Sequence, residues 1–93
     1  SGKIIMKLKG NYQIKQIADQ KVAIYCTEDT ADLRRAVSLS GSAEIIFKQL
    51  ILGAEKDDLI RSLTENYDIS EETAKKDVTD FLKLLYSYNL LDG

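Results

Sequence analysis

The spacing of apolar residues changes once along the chain, near residues 34–42. Before this point apolar side chains recur about every second residue, as in half-buried strands, and after it about every 3.6 residues, as in amphipathic helices. The stretch from Arg34 to Leu39, followed at once by Ser40-Gly41-Ser42, predicts an edge strand that leads directly into a helix. The pattern therefore predicts a sheet first and helices second.

The sheet half contains three strand patterns. Tyr12 to Ile17 and Val22 to Cys26 are rich in β-branched and aromatic residues, and Asp19-Gln20 between them predicts a hairpin turn. The charged segment from Glu28 to Arg35 has no sustained apolar period and predicts a solvated connection. Arg35 to Leu39 is the third predicted strand.

The N-terminal residues carry no clear pattern. Ser1-Gly2 resemble the scar of a cleaved tag, and Lys3 to Lys9 lack turn signals, so we expect a frayed lead-in. The domain is then expected to span residues 11–93, with residues 1–10 outside it.

The helical half contains three amphipathic patterns. The first begins at Ser40-Gly41-Ser42 and ends at Gly53, the second spans Asp57 to Tyr67, and the third begins at Ser70 and ends at Asn89 in a left-handed conformation. The apolar residues expected on the buried faces are Ala43, Ile46, Phe47, Leu50, Ile51, Leu59, Ile60, Leu63, Tyr67, Ala74, Val78, Phe81, Leu82 and Leu85. This order predicts an α+β fold, a small three-stranded antiparallel sheet followed by three helices, similar to a winged helix-turn-helix.

Composition argues against several function classes. The 93 residues suffice for one small core, and they include no His and one Cys, so we expect no metal site, no cofactor and no catalytic dyad. The acidic pairs Asp57-Asp58 and Glu71-Glu72 lie in predicted first helical turns, where carboxylates stabilise the helix dipole. We therefore expect a protein that is not an enzyme. The sequence has no signal peptide and no apolar run of membrane-spanning length, which predicts a cytoplasmic location without membrane contact.

Charge argues against nucleic acid as a partner. The net charge is -2, and the acidic residues concentrate after Gly41. The third predicted helix carries Glu71, Glu72, Asp77 and Asp80 against three lysines, so its surface would repel phosphate. A winged-helix DNA-binding transcription regulator is therefore the alternative, and the five Tyr residues are interpreted as core or boundary packing.

The third predicted helix has two flanks beside its buried stripe. One flank consists of Lys75, Thr79, Leu82 and Tyr86, with Lys83 just beyond, and the other of Thr73, Asp77, Asp80 and Leu84. If the basic flank borders the third strand, an extended acidic peptide could add to the free edge of the sheet. The other interpretation is an ordinary edge strand that Arg34 and Arg35 protect from aggregation. The residues alone leave both interpretations open.

A family resemblance favours the first interpretation. The residues that carry it are Val37-Ser38-Leu39, Phe47, Gly53, Leu59-Ile60, Leu63, Tyr67-Asp68-Ile69-Ser70, Asp77-Val78, Phe81-Leu82, Leu85 and Asn89-Leu90-Leu91. This spacing, over about Tyr12 to Asp92, resembles the PqqD family of peptide chaperones in quinone-cofactor biosynthesis. The same fold recurs as the recognition element of many ribosomal-peptide modification systems. Two positions depart from the usual pattern of this family: Phe47 replaces the usual Trp, and Ser40-Gly41-Ser42 replaces the usual Asn-Glu-Thr-like turn. A recognition protein from another natural-product pathway therefore fits equally well.

The resemblance implies a module that binds the leader segment of a precursor peptide as an added strand. The module would present that peptide to a separate modifying enzyme, such as a radical S-adenosylmethionine enzyme, a cyclase or a leader peptidase. The chain would be a monomer or a dimer that exchanges strands through the Glu28 to Arg35 connection. The peptide-binding residues expected on this basis are Arg34, Arg35, Ala36, Val37, Ser38, Leu39, Lys75, Thr79, Leu82, Lys83 and Tyr86.

Overall fold

The α+β prediction is confirmed by the computed structural model, which describes residues 3–27 and 31–93, without the side chains of residues 31–35. The elements are β1 (Lys7–Leu8), β2 (Asn11–Ile17), β3 (Gln20–Cys26), β4 (Ala31–Leu39), α1 (Gly41–Leu52), α2 (Lys56–Asn66), α3 (Glu71–Ser87) and β5 (Leu91–Asp92). Strands β2, β3 and β4 form an antiparallel sheet in that order, and β1 pairs with β5. None of the helices in these ranges is long and apolar enough to cross a membrane.

The predicted hairpin is present, and the third predicted strand is longer than expected. Ala18 and Asp19 form a two-residue turn between β2 and β3, and Ala18 takes a positive φ of 57°. Strand β4 begins at Ala31, where the sequence predicts a solvated connection, and its first residues pair with Tyr25 and Cys26 of β3. Backbone pairing tolerates this charged segment because β4 is an edge strand, where charged side chains are common. The rest of the predicted connection, residues 28–30, lies outside the described residues, as do Ser1 and Gly2, so the strand-exchange hypothesis stays a prediction.

The N-terminal segment is part of the fold, contrary to the expected frayed lead-in. Met6 and Leu8 are buried, and the Met6 and Ala54 backbones exchange two hydrogen bonds of 2.8 and 2.9 Å. Lys7 and Leu8 pair with Asp92 and Leu91. A two-residue strand is too short to show a period, and its partner lies at the far end of the sequence, so no local pattern predicts it.

The three helices begin with different caps. The Ser70 side chain accepts a hydrogen bond of 3.1 Å from the Thr73 backbone N–H at the start of α3, as the sequence predicts. Helix α2 starts with Glu55 and Asp58 in a capping-box arrangement, in which the Asp58 carboxylate accepts a hydrogen bond of 3.1 Å from the Glu55 N–H. Ser40 precedes α1 in extended conformation but makes no side-chain cap hydrogen bond.

The end of α3 is a Schellman motif. Asn89 takes a left-handed φ of 58°, its N–H donates to the Tyr86 carbonyl at 2.9 Å, and the Leu90 N–H donates to the Leu85 carbonyl at 2.9 Å. The predicted left-handed termination is thereby confirmed. The reversal turns Leu90 and Leu91 back toward β1 and the core.

The core lies between the sheet and the helices, with Phe47 at its centre. Phe47 is fully buried, and its ring packs edge-to-face against the ring of Tyr12 of β2, with 5.3 Å between the ring centroids. The ring of Tyr12 in turn packs edge-to-face against that of Tyr25 of β3, with 5.5 Å between the centroids. The predicted apolar faces of α1 and α3 supply much of the remaining core. Tyr67 is an exception, because α2 ends at Asn66 and the Tyr67 side chain is 38% exposed.

Truncation of Leu8 tests whether β1 is part of the folded core or a frayed lead-in. We expect Leu8→Ala to lower the free energy of unfolding by about 2–5 kcal/mol, because the removed side chain leaves a cavity in the core. The control Ile4→Ala, at a position that is 64% exposed, should change stability by less than about 0.5 kcal/mol. Denaturant unfolding of both variants measures the difference, and equal values would mean that β1 does not contribute to the core.

The caps of α1 and α3 offer a second stability comparison. Ser70→Ala removes a side-chain cap hydrogen bond and should cost about 1 kcal/mol, whereas Ser40→Ala removes none and should cost less. Thermal unfolding followed by circular dichroism measures both variants. A larger loss for Ser40→Ala would contradict this assignment of the caps.

Candidate functional site

One edge of the three-stranded sheet lies beside the C-terminal half of α3. Strand β4 pairs with β3 along one side, and no strand in the described part of the chain pairs with its other side. An edge strand exposes main-chain N–H and C=O groups that can pair with another extended segment. This edge is therefore the starting point for a search for a binding site.

The register of the sheet shows which residues of β4 expose these groups. Ile17 and Gln20 flank the two-residue turn, so they form a hydrogen-bonded pair, and such pairs alternate along the hairpin. Ala23 then directs its main-chain groups to β4, where its partner is Val37. The Val37 N–H consequently faces β3, whereas those of Ala36 and Ser38 face the free edge.

A groove runs between this edge and α3, and we call it the β4–α3 groove. One part of it, about 530 Å³ in volume, is lined by Tyr12, Ala36, Val37, Ser38, Leu84, Tyr88 and Leu90. A second part, about 400 Å³, lies beyond the end of β4, between the start of α1 and α3, and is lined by Ser40, Ser42, Ala43, Ile46, Asp77, Asp80, Phe81 and Leu84. Leu84 borders both parts, and volumes of this size accommodate large side chains.

Helical spacing brings the α3 residues to this groove. Asp77, Phe81, Leu84 and Tyr88 follow one another at intervals of three or four residues and so share one side of the helix. Leu84 is 45% exposed and Tyr88 is 66% exposed, so both present apolar surface to solvent. The Schellman turn after Tyr88 places Leu90 at the end of the groove.

The structure brings together only part of the predicted site. Ala36, Val37 and Ser38 line the groove, and Leu39 is buried next to it. The side chains of Arg34 and Arg35 lie outside the described residues. The backbone of both residues belongs to β4.

The predicted flank of α3 does not line this groove, and its role in peptide binding stays a prediction. Lys75, Thr79 and Tyr86 lie about 140–180° around the helix from Leu84, at 100° per residue. The Tyr86 hydroxyl donates to the Gly93 carbonyl at 2.9 Å, and Leu82 is buried in the core. Lys83 is exposed and lines neither part of the groove. Sequence reasoning did not assign Phe81, Leu84 and Tyr88 to the site. The signal that could have found them is that apolar residues of α3 extend beyond its buried stripe on the side of the groove.

One end of the groove is acidic in the part of the chain whose side chains are described. Asp77 and Asp80 are the charged residues that line it among the described side chains. Lys76 donates a hydrogen bond of 2.9 Å to Asp80, and this bond is the main cause that raises the pKa of Lys76 above its ordinary value. The hydrogen bond therefore favours the charged form of Lys76.

Another cleft on the surface lacks a strand edge. It lies at the α2 to α3 junction and is lined by Asp57, Ile60, Arg61, Thr64, Ile69 and Glu71. Arg61 is already paired with Asp58 at 2.6 Å. Because no main-chain edge borders this cleft, the β4–α3 groove is the better candidate for peptide binding.

Comparison with known proteins identifies the family. The family model of PqqD, described as coenzyme PQQ synthesis protein D, matches residues 30–91. The chain belongs to the PqqD family. The match covers β4, all three helices and the start of β5, so the β4 and α3 residues of the groove lie in the shared region and Tyr12 of β2 lies outside it.

A solved structure shares the fold of this PqqD-family chain. It is TbiB1 in complex with the TbiA(beta) leader peptide, with a TM-score of 0.69 and 22% sequence identity over 94% of this chain and 95% of that chain. A search of curated proteins found no match. The predicted resemblance to the PqqD family is confirmed.

Proline substitutions test the derived orientation of β4. We expect Val37→Pro to lower the free energy of unfolding by about 1–3 kcal/mol, because it removes an N–H that pairs with Ala23 and leaves a buried carbonyl unsatisfied. Ser38→Pro removes an N–H that faces the free edge and should cost clearly less. The residue before each proline is already in a strand, which proline tolerates. Denaturant unfolding checks the contrast, and the reverse order would overturn the orientation.

Proposed function

We propose that this protein is a non-catalytic module that binds the leader segment of a ribosomally synthesised precursor peptide. The observation that carries the proposal is the unpaired edge of β4 beside the partly apolar β4–α3 groove. Membership of the PqqD family and the shared fold with a protein bound to a leader peptide support it.

The leader would bind as a fourth strand of the sheet. Its main chain would pair with the outward N–H and C=O groups of Ala36 and Ser38. Because side chains alternate along a strand, every second leader residue would enter the β4–α3 groove against Leu84 and Tyr88. Main-chain pairing would supply affinity, and the groove would supply sequence preference.

The expected affinity follows from a small number of contacts. Each net hydrogen bond contributes about 0.5–1.5 kcal/mol. Each buried large apolar side chain adds about 1.5–3 kcal/mol. Ordering a flexible peptide costs about 2–5 kcal/mol or more of this gain. We therefore expect dissociation constants in the micromolar range or tighter.

The bound leader would be presented to a separate modifying enzyme, such as a radical S-adenosylmethionine enzyme, a cyclase or a leader peptidase. The purified protein should not change the mass of a precursor peptide when incubated with it alone. Turnover by the isolated chain would contradict the proposal.

The DNA-binding alternative has less support from the charges of α3. Glu71, Glu72, Asp77 and Asp80 give that helix more carboxylates than its three lysines balance. Specific binding to duplex DNA depends on cations that neutralise phosphates.

Titration with a leader peptide tests the proposal directly. The probe is a fluorescently labelled synthetic leader of a precursor encoded beside the gene for this protein, and anisotropy reports its binding. We expect Leu84→Ala to weaken binding by about 1–2 kcal/mol, roughly 5- to 30-fold, because the groove loses apolar contact area. Ser38→Pro should weaken binding further, since it removes a main-chain donor at the edge.

Matched controls separate the groove from the rest of the surface. Leu52→Ala removes the same side chain at a position that is 83% exposed and outside the groove, so binding should not change. Lys75→Ala tests the opposite side of α3 and should also leave affinity unchanged. If Lys75→Ala weakens binding and Leu84→Ala does not, the peptide lies on the flank that the sequence predicted. If folded Ser38→Pro binds with native affinity, the peptide does not pair with β4.

A further inference from the structure

The charges of the β4–α3 groove are unevenly distributed. Among the described side chains, those that line the part beside Ala36, Val37 and Ser38 are uncharged, and the part beyond the end of β4 contains both carboxylates, Asp77 and Asp80. A peptide that follows β4 along the groove would therefore meet an apolar section and an acidic section.

The two carboxylates differ in their partners. Asp80 accepts a hydrogen bond from Lys76, which offsets its charge locally. No hydrogen bond or ion pair reaches Asp77 from any of the described side chains. Lys76 also interacts electrostatically with Asp77, but it is a single cation beside two carboxylates. Among the described side chains the acidic section therefore has a net negative charge, and an acidic peptide residue there would be repelled.

The geometry points to a cationic residue in the bound peptide, and we infer that the leader carries Lys or Arg near Asp77. This inference rests on the proposed function, and it opposes the acidic leader that the sequence predicts. Asp77 precedes Leu84 by seven residues, about 10 Å along the helix axis. Since an extended chain advances about 3.3 Å per residue and alternates its faces, the cation would lie two or four positions from the apolar residue that contacts Leu84.

The expected contribution is modest because the carboxylates are exposed. The Asp80 side chain is 58% exposed, and exposed ion pairs are weak and screened by salt. We expect roughly a two- to fivefold preference for a cationic over a neutral residue at low ionic strength, and a smaller preference at physiological salt. Charge at this position would select among leaders and fix their register, while the apolar section provides the anchor.

Selection from a random peptide library tests the inference without knowledge of the natural leader. The probe is a displayed library of about ten randomised positions, the length of a long strand. It is selected at an ionic strength of about 0.01 M, where screening is weak. Selections use the wild-type protein, the double variant Asp77→Asn with Asp80→Asn, and Ser38→Pro. The double variant Glu65→Gln with Asp68→Asn is the control, because it removes the same charge from exposed positions outside the groove.

On the wild type and on the control, we expect the enriched peptides to share an apolar residue with Lys or Arg two or four positions away. The cationic preference should disappear on the Asp77→Asn and Asp80→Asn variant, while the apolar preference remains. In one enriched peptide, Lys→Glu should then weaken binding to the wild type more than to that variant.

Two other results would overturn the inference and are distinguishable from each other. In the first, the enriched peptides need an intact β4 edge but show no preference for Lys or Arg, or prefer Glu. This result would contradict the inferred cationic residue and leave the proposed function in place. A library that yields no enriched peptide, or the same peptides on Ser38→Pro, would reject peptide pairing with β4 and the inference with it.

Discussion

The edge-to-face contact between Tyr12 and Phe47 determines how the sheet lies on the helices. Phe47 is fully buried at the centre of the core, and Tyr12 reaches it from β2 while also lining the β4–α3 groove. The groove therefore shares a wall with the hydrophobic core. Aromatic pairs with this geometry stabilise a fold beyond the area they bury, so the position of the groove relative to α3 is fixed by core packing.

Most of the fold could be predicted from the sequence because its elements have strong local patterns. The hairpin follows from β-branched and aromatic runs on both sides of a turn, and α3 follows from Ser70, its buried stripe and Asn89. The start of β4 was missed because the pairing of Ala31 and Asp32 depends on main-chain bonds to β3, which leave no apolar period. Strand β1 was missed because its partner lies at the other end of the chain.

The candidate site could be predicted only in part for a different reason. A helical pattern shows that α3 has two flanks beside its buried stripe, but it does not show which flank borders the sheet edge. That choice depends on how the whole helix packs against α1 and the sheet. Lys75 and Lys83 suggested a basic groove, whereas packing turns Leu84 toward β4 and Asp77 toward the start of α1. The β4 residues of the candidate site could be predicted because the local sequence pattern of a strand is enough to identify them.

The pairing of β1 with β5 also determines how the protein responds to mechanical force. Lys7 pairs with Asp92 and Leu8 with Leu91, so the two chain ends leave this ladder at the same side. Tension between the ends acts along the hydrogen bonds of an antiparallel pair and opens them one after another instead of shearing them together. Under load, this small sheet and the Met6–Ala54 bridge beside it would open first, and the β2–β3–β4 sheet would remain paired while they do.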